Sequence, residues 1–223
     1  MYEQSDEIST RSLHSYLRGE RECHSIALMR SWLSTFREPE SSVLEDLARR
    51  IAHAALSDAD ALKSTIRPND DNEHTKRWFE IVFEFLYLYM HLTNRVADAE
   101  LGQERRCKVQ HQLYPLIVRP TIESIFGHWP QNLKDGIESD FSKYLNSSEI
   151  EYGDCKQLLD RDNPLSEDAL FSKFAGIVCD LLGADKNNFT AYAGTFMRVI
   201  DLVLDSCNKL KLRETLREVG KEL

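Results

Sequence analysis

The stretch that decides the fold runs from Trp78 to Asp98 and reads WFEIVFEFLYLYMHLTNRVAD. Most of its residues are large and apolar, and the polar ones return every three or four positions. At 3.6 residues per turn, these polar side chains fall on one stripe of a helix. They are Glu80, Glu84, Tyr87, His91, Asn94, Arg95 and Asp98. A helix that is apolar over the rest of its surface is typical of the interior of a bundle, so the stripe either reaches water or lines an internal site.

The rest of the chain also indicates helices. Its 223 residues include only 9 glycines and 6 prolines, and no run of alternating β-branched residues with hairpin turns is visible. We therefore predict an all-α protein, an irregular bundle of about seven or eight helices around a central apolar helix over residues 75–99. The predicted domains are an N-terminal helical hairpin over residues 1–65, which can pack on the main helical bundle, and that main bundle over residues 72–223.

Caps and breakers indicate where the first helices begin and end. A first helix is predicted over residues 13–36. Ser42, with Glu45 three residues later, fits a capping box at the start of the second helix. Residues 57–75 include the polar segments SDADA and IRPNDDNEH, and this stretch is predicted to be a long connection.

The same signals divide the remainder of the chain. Gly102 is expected to end the central helix. Pro115 lacks a backbone donor and is expected to kink or end the next helix, with a separate short helix over residues 121–126 to follow. Residues 146–164 are polar and are predicted to form a loop. Ser166 fits the N-cap of a further helix.

The charge of the chain bears on its partners. Lys plus Arg number 28 and Asp plus Glu number 37, which gives a net charge of −9. Nucleic acids and anionic membranes attract proteins through a dominant basic field, so we predict neither as a partner. The nearest approach to a basic patch is Arg105 and Arg106 with Lys108.

The cysteines and the N-terminus predict a cytoplasmic location. The five cysteines are scattered, odd in number and without a CxxC pair, which is typical of reduced thiols in the cytosol. The first residues, MYEQSDEISTRS, show neither the basic nor the apolar region of a signal peptide. The apolar run over residues 78–90 is too short to span a bilayer and contains two glutamates.

The stripe over residues 80–98 holds the main candidate site. Glu84 and His91 are candidates for acid–base catalysis or ligation, Tyr87 for hydrogen-bond donation and Arg95 for holding an anion. Two structural explanations compete with this one and are favoured over it. The stripe can be a solvated face with pairs at spacing i,i+4, or one buried hydrogen-bonded network that fixes how two helices meet.

A second polar stripe lies on the last long helix and includes Arg198 and Asp201, which are further candidates for ligand binding. Its other members are Gly194, Asp205 and Asn208. If it faced the first stripe, the two would enclose an acidic cleft that contains Arg95 and Arg198. A solvated surface with salt bridges is the favoured alternative.

Motifs of known chemistry are missing from the sequence. A ferritin-like di-iron site needs Glu-x-x-His motifs, and none occurs. A single metal bound by Glu80 or Glu84 with His91 stays open, but nothing in the sequence demands it. The chain also lacks G-x-S-x-G, G-x-G-x-x-G and P-loop patterns. We therefore predict no metal and no cofactor, and we assign no enzyme class.

Two functional hypotheses remain. The first is a helical protein inside the cell that acts through a protein partner or through self-association as a homo-oligomer. It depends on the missing catalytic motifs and on aromatic residues near predicted helix ends: Trp32, Phe36, Trp78, Phe79, Phe126 and Trp129. The alternative is an enzyme or a protein that binds a small molecule or metal in a polar cleft lined by Glu84, Tyr87, His91 and Arg95. Burial of His91 and Arg95 is the feature that separates the two.

Overall fold

The computed structural model describes residues 42–66, 71–160, 162, 163, 166 and 168–223, apart from the side chains of residues 71 and 72. This part of the chain is all-α, as predicted, and it contains no strand. A 3₁₀ turn at Lys63–Thr65 follows the first helix. The α-helices are α1 (Val43–Leu62), α2 (Asp71–Leu101), α3 (Gln103–Phe126), α4 (Gln131–Gly153), α5 (Leu170–Leu181), α6 (Phe189–Leu210) and α7 (Leu212–Glu222).

The predicted total of seven or eight helices is not confirmed. Helices α6 and α7 are separated only by Lys211, whose φ of 48° is left-handed. Counted as one interrupted helix, they leave six helices in the described part of the chain. The predicted helix over residues 13–36 lies outside the described residues. The division into a hairpin over residues 1–65 and a bundle over residues 72–223 therefore stays a prediction.

Two predicted helix ends are confirmed. The amide of Glu45 donates to Ser42 Oγ at 3.2 Å, and the amide of Ser42 donates to the Glu45 carboxylate at 3.1 Å, which completes the capping box of α1. Gly102 ends α2 with φ 79°, a left-handed conformation that costs glycine little because it has no Cβ.

Two helices are longer than predicted. Helix α1 continues to Leu62, through the first third of the predicted connection over residues 57–75, because Ala59 and Leu62 are fully buried. Helix α4 continues to Gly153, through half of the predicted loop over residues 146–164. Leu145 and Tyr152 lie two turns apart on α4 and are both buried, so apolar packing holds this polar segment in a helix.

Pro115 does not end the helix that contains it. Helix α3 runs through both Pro115 and Pro120 to Phe126, and the predicted separate helix over residues 121–126 is its last part. Buried side chains continue at helical spacing across both prolines. Pro115 and His111 are exposed, so water can solvate the carbonyl that the proline leaves without a donor.

Ser166 does not cap α5, which begins four residues later at Leu170. The amide of Leu170 donates to the Gln157 carbonyl at 3.0 Å, and the amide of Phe171 donates to the Leu158 carbonyl at 2.9 Å. The segment after α4 therefore supplies the acceptors that a capping side chain would otherwise provide.

Helix α2 packs against α1, α3, α4, α5 and α7. A hydrogen-bonded group joins it to two other helices: the Asp58 carboxylate on α1 accepts from the hydroxyls of Tyr89 on α2 and Ser206 on α6, the latter at 2.7 Å. Burial raises the pKa of Asp58 despite these two donors. Around this group, one continuous apolar cluster extends from Leu44 to Val219.

Candidate functional site

The structure divides the polar stripe on α2 into two parts. Glu80, Glu84 and Tyr87 line a pocket, whereas His91 and Asn94 are buried under the end of α4. Arg95 is half-buried, and its Nη1 donates to the Cys155 carbonyl just beyond α4 at 3.3 Å. Asp98, at the end of the stripe, is exposed and pairs with Arg106 at 3.7 Å.

The part around His91 forms a hydrogen-bonded network between α2 and α4. His91 Nδ1 lies 3.0 Å from one carboxylate oxygen of Glu149, and the Asn94 side chain donates to the other oxygen at 3.0 Å. The Tyr152 ring meets the His91 ring edge-on, with centroids 5.6 Å apart. His91 is 3% exposed and does not line the pocket. This geometry fixes how the two helices meet and does not present the imidazole to a ligand in the pocket.

The pocket lies between α2, α4 and α5, beside the end of α3, and has a volume of about 360 Å³. Most of its wall is apolar, and aromatic rings make up a large part of that apolar wall. The ring of Phe83 packs edge-to-face on Phe141 with centroids 5.4 Å apart. The centroid of the Tyr87 ring lies 4.8 Å from that of the same Phe141 ring. The described residues that line it are Lys76, Phe79, Glu80, Phe83, Glu84, Tyr87, Phe126, Ile137, Asp140, Phe141, Tyr144, Ile177 and Leu181.

The pocket changes the pKa of the Glu84 carboxyl group. Burial raises its pKa to about 7, and the carboxylates of Glu151 and Glu80 act in the same direction. The Tyr152 hydroxyl donates to Glu84 Oε2 at 3.1 Å and offsets part of that rise in pKa. Near neutral pH the carboxyl is therefore present in both forms, so it can donate or accept a hydrogen bond inside the pocket.

Tyr87 lies one turn along α2 from Glu84. Its pKa is raised well above the usual value, first by burial and then by the Glu84 carboxylate. The phenol therefore stays protonated at any physiological pH. Tyr87 can contribute its ring and a hydroxyl to the pocket, but not a phenolate.

The second predicted stripe does not face α2. Arg198 on α6 donates to the Ala61 carbonyl and to Thr65 Oγ1, the latter at 3.4 Å, so it meets the end of α1 and the turn after it. Asp201 is exposed. Because Arg198 and Arg95 have different partners, the structure does not bring them together in one acidic cleft.

The sequence patterns do not single out three polar residues of this region: Glu149, Tyr152 and Asp140. All lie on α4, and the first two fall in the segment that was predicted to be a loop. A usable signal was the spacing of Phe141, Leu145 and Tyr152, which places three buried side chains on one face.

The described residues can also be compared with the requirements of metal sites, reactive thiols and membrane-spanning helices. Within the described residues, no group of three or more His, Cys, Asp or Glu side chains is arranged to hold a metal ion. In the same part of the chain, Cys155 and Cys179 are buried free thiols, and Cys107 is exposed. None of the described helices is both long enough and apolar enough to cross a membrane.

Comparisons with models of protein families, with curated proteins and with solved structures find no match to this chain.

Proposed function

We propose that the protein binds a small, largely apolar molecule in the pocket between α2, α4 and α5. The observation that carries this proposal is the wall of aromatic rings around the Glu84 carboxyl in a cavity of about 360 Å³. Sites for small molecules have volumes of about 300–1,000 Å³, are mostly apolar and contain a few polar groups that fix the orientation of the ligand. The pocket has this size and this composition.

The residues of the pocket offer a ligand two kinds of contact. Phe83 and Phe141 offer apolar area to the body of the ligand, while Glu84 and Tyr87 offer hydrogen bonds. Glu84 also suits proton transfer, because an acid–base group works best with a pKa near the working pH. His91 and Arg95, by contrast, would act on a ligand only through the position of α4. Binding is therefore the part of the alternative hypothesis that this geometry supports best.

Filling the pocket tests the proposal. Ile177 lines the pocket on α5, and the larger side chain of Ile177→Trp takes up part of the space that a ligand needs. We expect the variant to bind the neutral fluorophore N-phenyl-1-naphthylamine at least about tenfold more weakly than the wild type. Fluorescence titration measures both dissociation constants.

The matched control is Ile150→Trp. Ile150 is 73% exposed on α4 and does not line the pocket, so the same substitution there should leave the dissociation constant unchanged. If the two variants weaken binding equally, or if the fluorophore does not bind the wild type, the pocket is not a binding site for apolar molecules.

Self-association is the second proposed function, and one edge of α6 supports it. Met197 and Leu204 are two turns apart and are 43% and 37% exposed. Open space beside Gly194, one turn before Met197, would let a second copy of the chain approach closely. The predicted cytoplasmic location and the predicted lack of nucleic-acid partners stay predictions.

Light scattering over a concentration series tests self-association. We expect the mass of the wild type to rise towards that of a dimer, and the double variant Met197→Ser with Leu204→Ser to remain a monomer, because its α6 edge has lost the apolar contacts. A wild-type protein that stays monomeric throughout the series contradicts this proposal.

A further inference from the structure

We propose that the ligand of this pocket is a small amine with an apolar body, held by an ion pair between its ammonium group and the Glu84 carboxylate. This inference rests on the proposed binding function and names the chemical class of the molecule that is bound. The charges of the lining, the hydrogen bonds of Glu84 and the aromatic wall support it in turn.

The ionisable groups of the lining are predominantly acidic. Among the described residues they comprise the carboxyl groups of Glu80, Glu84 and Asp140 and the ammonium group of Lys76. Lys76 Nζ lies 3.6 Å from the Glu80 carboxylate, one turn along the same helix, so this cation already has a partner. Because Lys76 pairs with Glu80, the charge that the described lining offers to a ligand is that of Glu84, and an ionised Glu84 repels an anion and attracts a cation.

Glu84 has room for one more hydrogen-bond donor. Its Oε2 accepts from Tyr152 at 3.1 Å, whereas no donor among the described residues lies within hydrogen-bond distance of Oε1. An ammonium group placed there would supply the opposite charge that Glu84 lacks and would favour its ionised form. Hydrogen bonds between ionised partners are about twice as strong as neutral ones, so an amine gains more than an alcohol of the same shape.

The aromatic wall favours the same chemistry. Six rings line the pocket, and a cation within about 6 Å of a ring centroid is attracted to the negative face of the ring. They belong to Phe79, Phe83, Tyr87, Phe126, Phe141 and Tyr144. A volume of about 360 Å³ is near the lower end for ligand sites and suits a small aromatic molecule.

Three probes of one shape separate the possible ligand classes: 2-phenylethylamine, 2-phenylethanol and phenylacetate. Calorimetric titration at about pH 8 keeps the amine protonated and Glu84 largely ionised. We expect the amine to bind at least about tenfold more tightly than the alcohol, and phenylacetate to bind most weakly. In Glu84→Gln the preference for the amine over the alcohol should disappear, because the side chain no longer carries a negative charge.

The outcomes distinguish this inference from the function on which it rests. Equal affinities for the amine and the alcohol in the wild type overturn the amine assignment and leave the binding site in place. A preference for the amine that persists in Glu84→Gln overturns the ion pair with Glu84. If N-phenyl-1-naphthylamine binds and the amine does not, only this inference fails. If neither binds, the proposed function fails with it. The comparison of probes on the wild type does not depend on how well the variant folds.

Discussion

Replacing Phe85 with alanine is expected to lower the free energy of unfolding by about 3–5 kcal/mol. Phe85 is fully buried on α2. The centroid of its ring lies 5.0 Å from that of Phe174 on α5 and 5.9 Å from that of Tyr89. Closely packed neighbours relax only partly around a deleted ring, so the variant loses both the transfer free energy of the ring and the contacts around the cavity. Urea unfolding followed by circular dichroism measures the change.

Phe189→Ala is the control for this result. Phe189 is the first residue of α6 and is 66% exposed, so its truncation should change the free energy of unfolding by no more than about 0.5 kcal/mol. The denaturant dependence should be the same in both variants and the wild type, which shows that only stability has changed. A Phe85→Ala variant as stable as Phe189→Ala would mean that this side of α2 does not lie in a packed core.

Helical periodicity made much of this architecture predictable, and local rules failed where packing outweighed them. The start of α1 at Ser42 and the end of α2 at Gly102 follow from side-chain chemistry that acts within one turn. Pro115 is a helix breaker by the same local logic, yet α3 continues through it because buried side chains before and after it pack on one face. The energy of that packing comes from other helices, which no local pattern contains.

The candidate site was predictable as a stripe but not as a set of partners. Glu84 and His91 are two turns apart on the same face of α2 and look equivalent in the sequence. They differ in the structure because α4 lies over His91 through Glu149, and because the pocket opens beside Glu84. The segment that covers His91 is polar, so its helical state depends on the buried Tyr152 at its end.

This difference assigns the two groups different tasks. The imidazole of His91 is held between a carboxylate and an aromatic ring, which suits the joining of two helices. The Glu84 carboxyl group lines the pocket, and burial disfavours its ionised form. A group whose ionisation the fold opposes must lower the stability of the fold when it ionises, and this links the site to a measurable property of the whole protein.

Glu84→Gln is therefore expected to change how stability depends on pH. The pKa of Glu84 is raised from 4.5 to about 7 in the folded protein, so the folded state holds the proton more tightly than the unfolded state does. Its contribution to stability is complete below about pH 4.5 and is lost as the pH rises to about 7. Between about pH 5 and pH 8 we expect the wild type to lose about 2 kcal/mol relative to the variant, a value reduced for the water that reaches this half-buried group.

Urea unfolding of both proteins at the two pH values measures this difference, in which the contributions of the other titrating groups cancel. Glu218→Gln, at an exposed position on α7, is the control for loss of a charge alone and should shift the difference by no more than about 0.5 kcal/mol. A Glu84→Gln difference as small as that of the control would contradict the raised pKa of Glu84.

Tyr152→Phe tests how the hydrogen bond from Tyr152 affects the pKa of Glu84. It removes the donor that stabilises the ionised form of Glu84, so the pH at which stability falls should move upward. A downward shift would mean that this hydrogen bond does not favour the ionised form of Glu84.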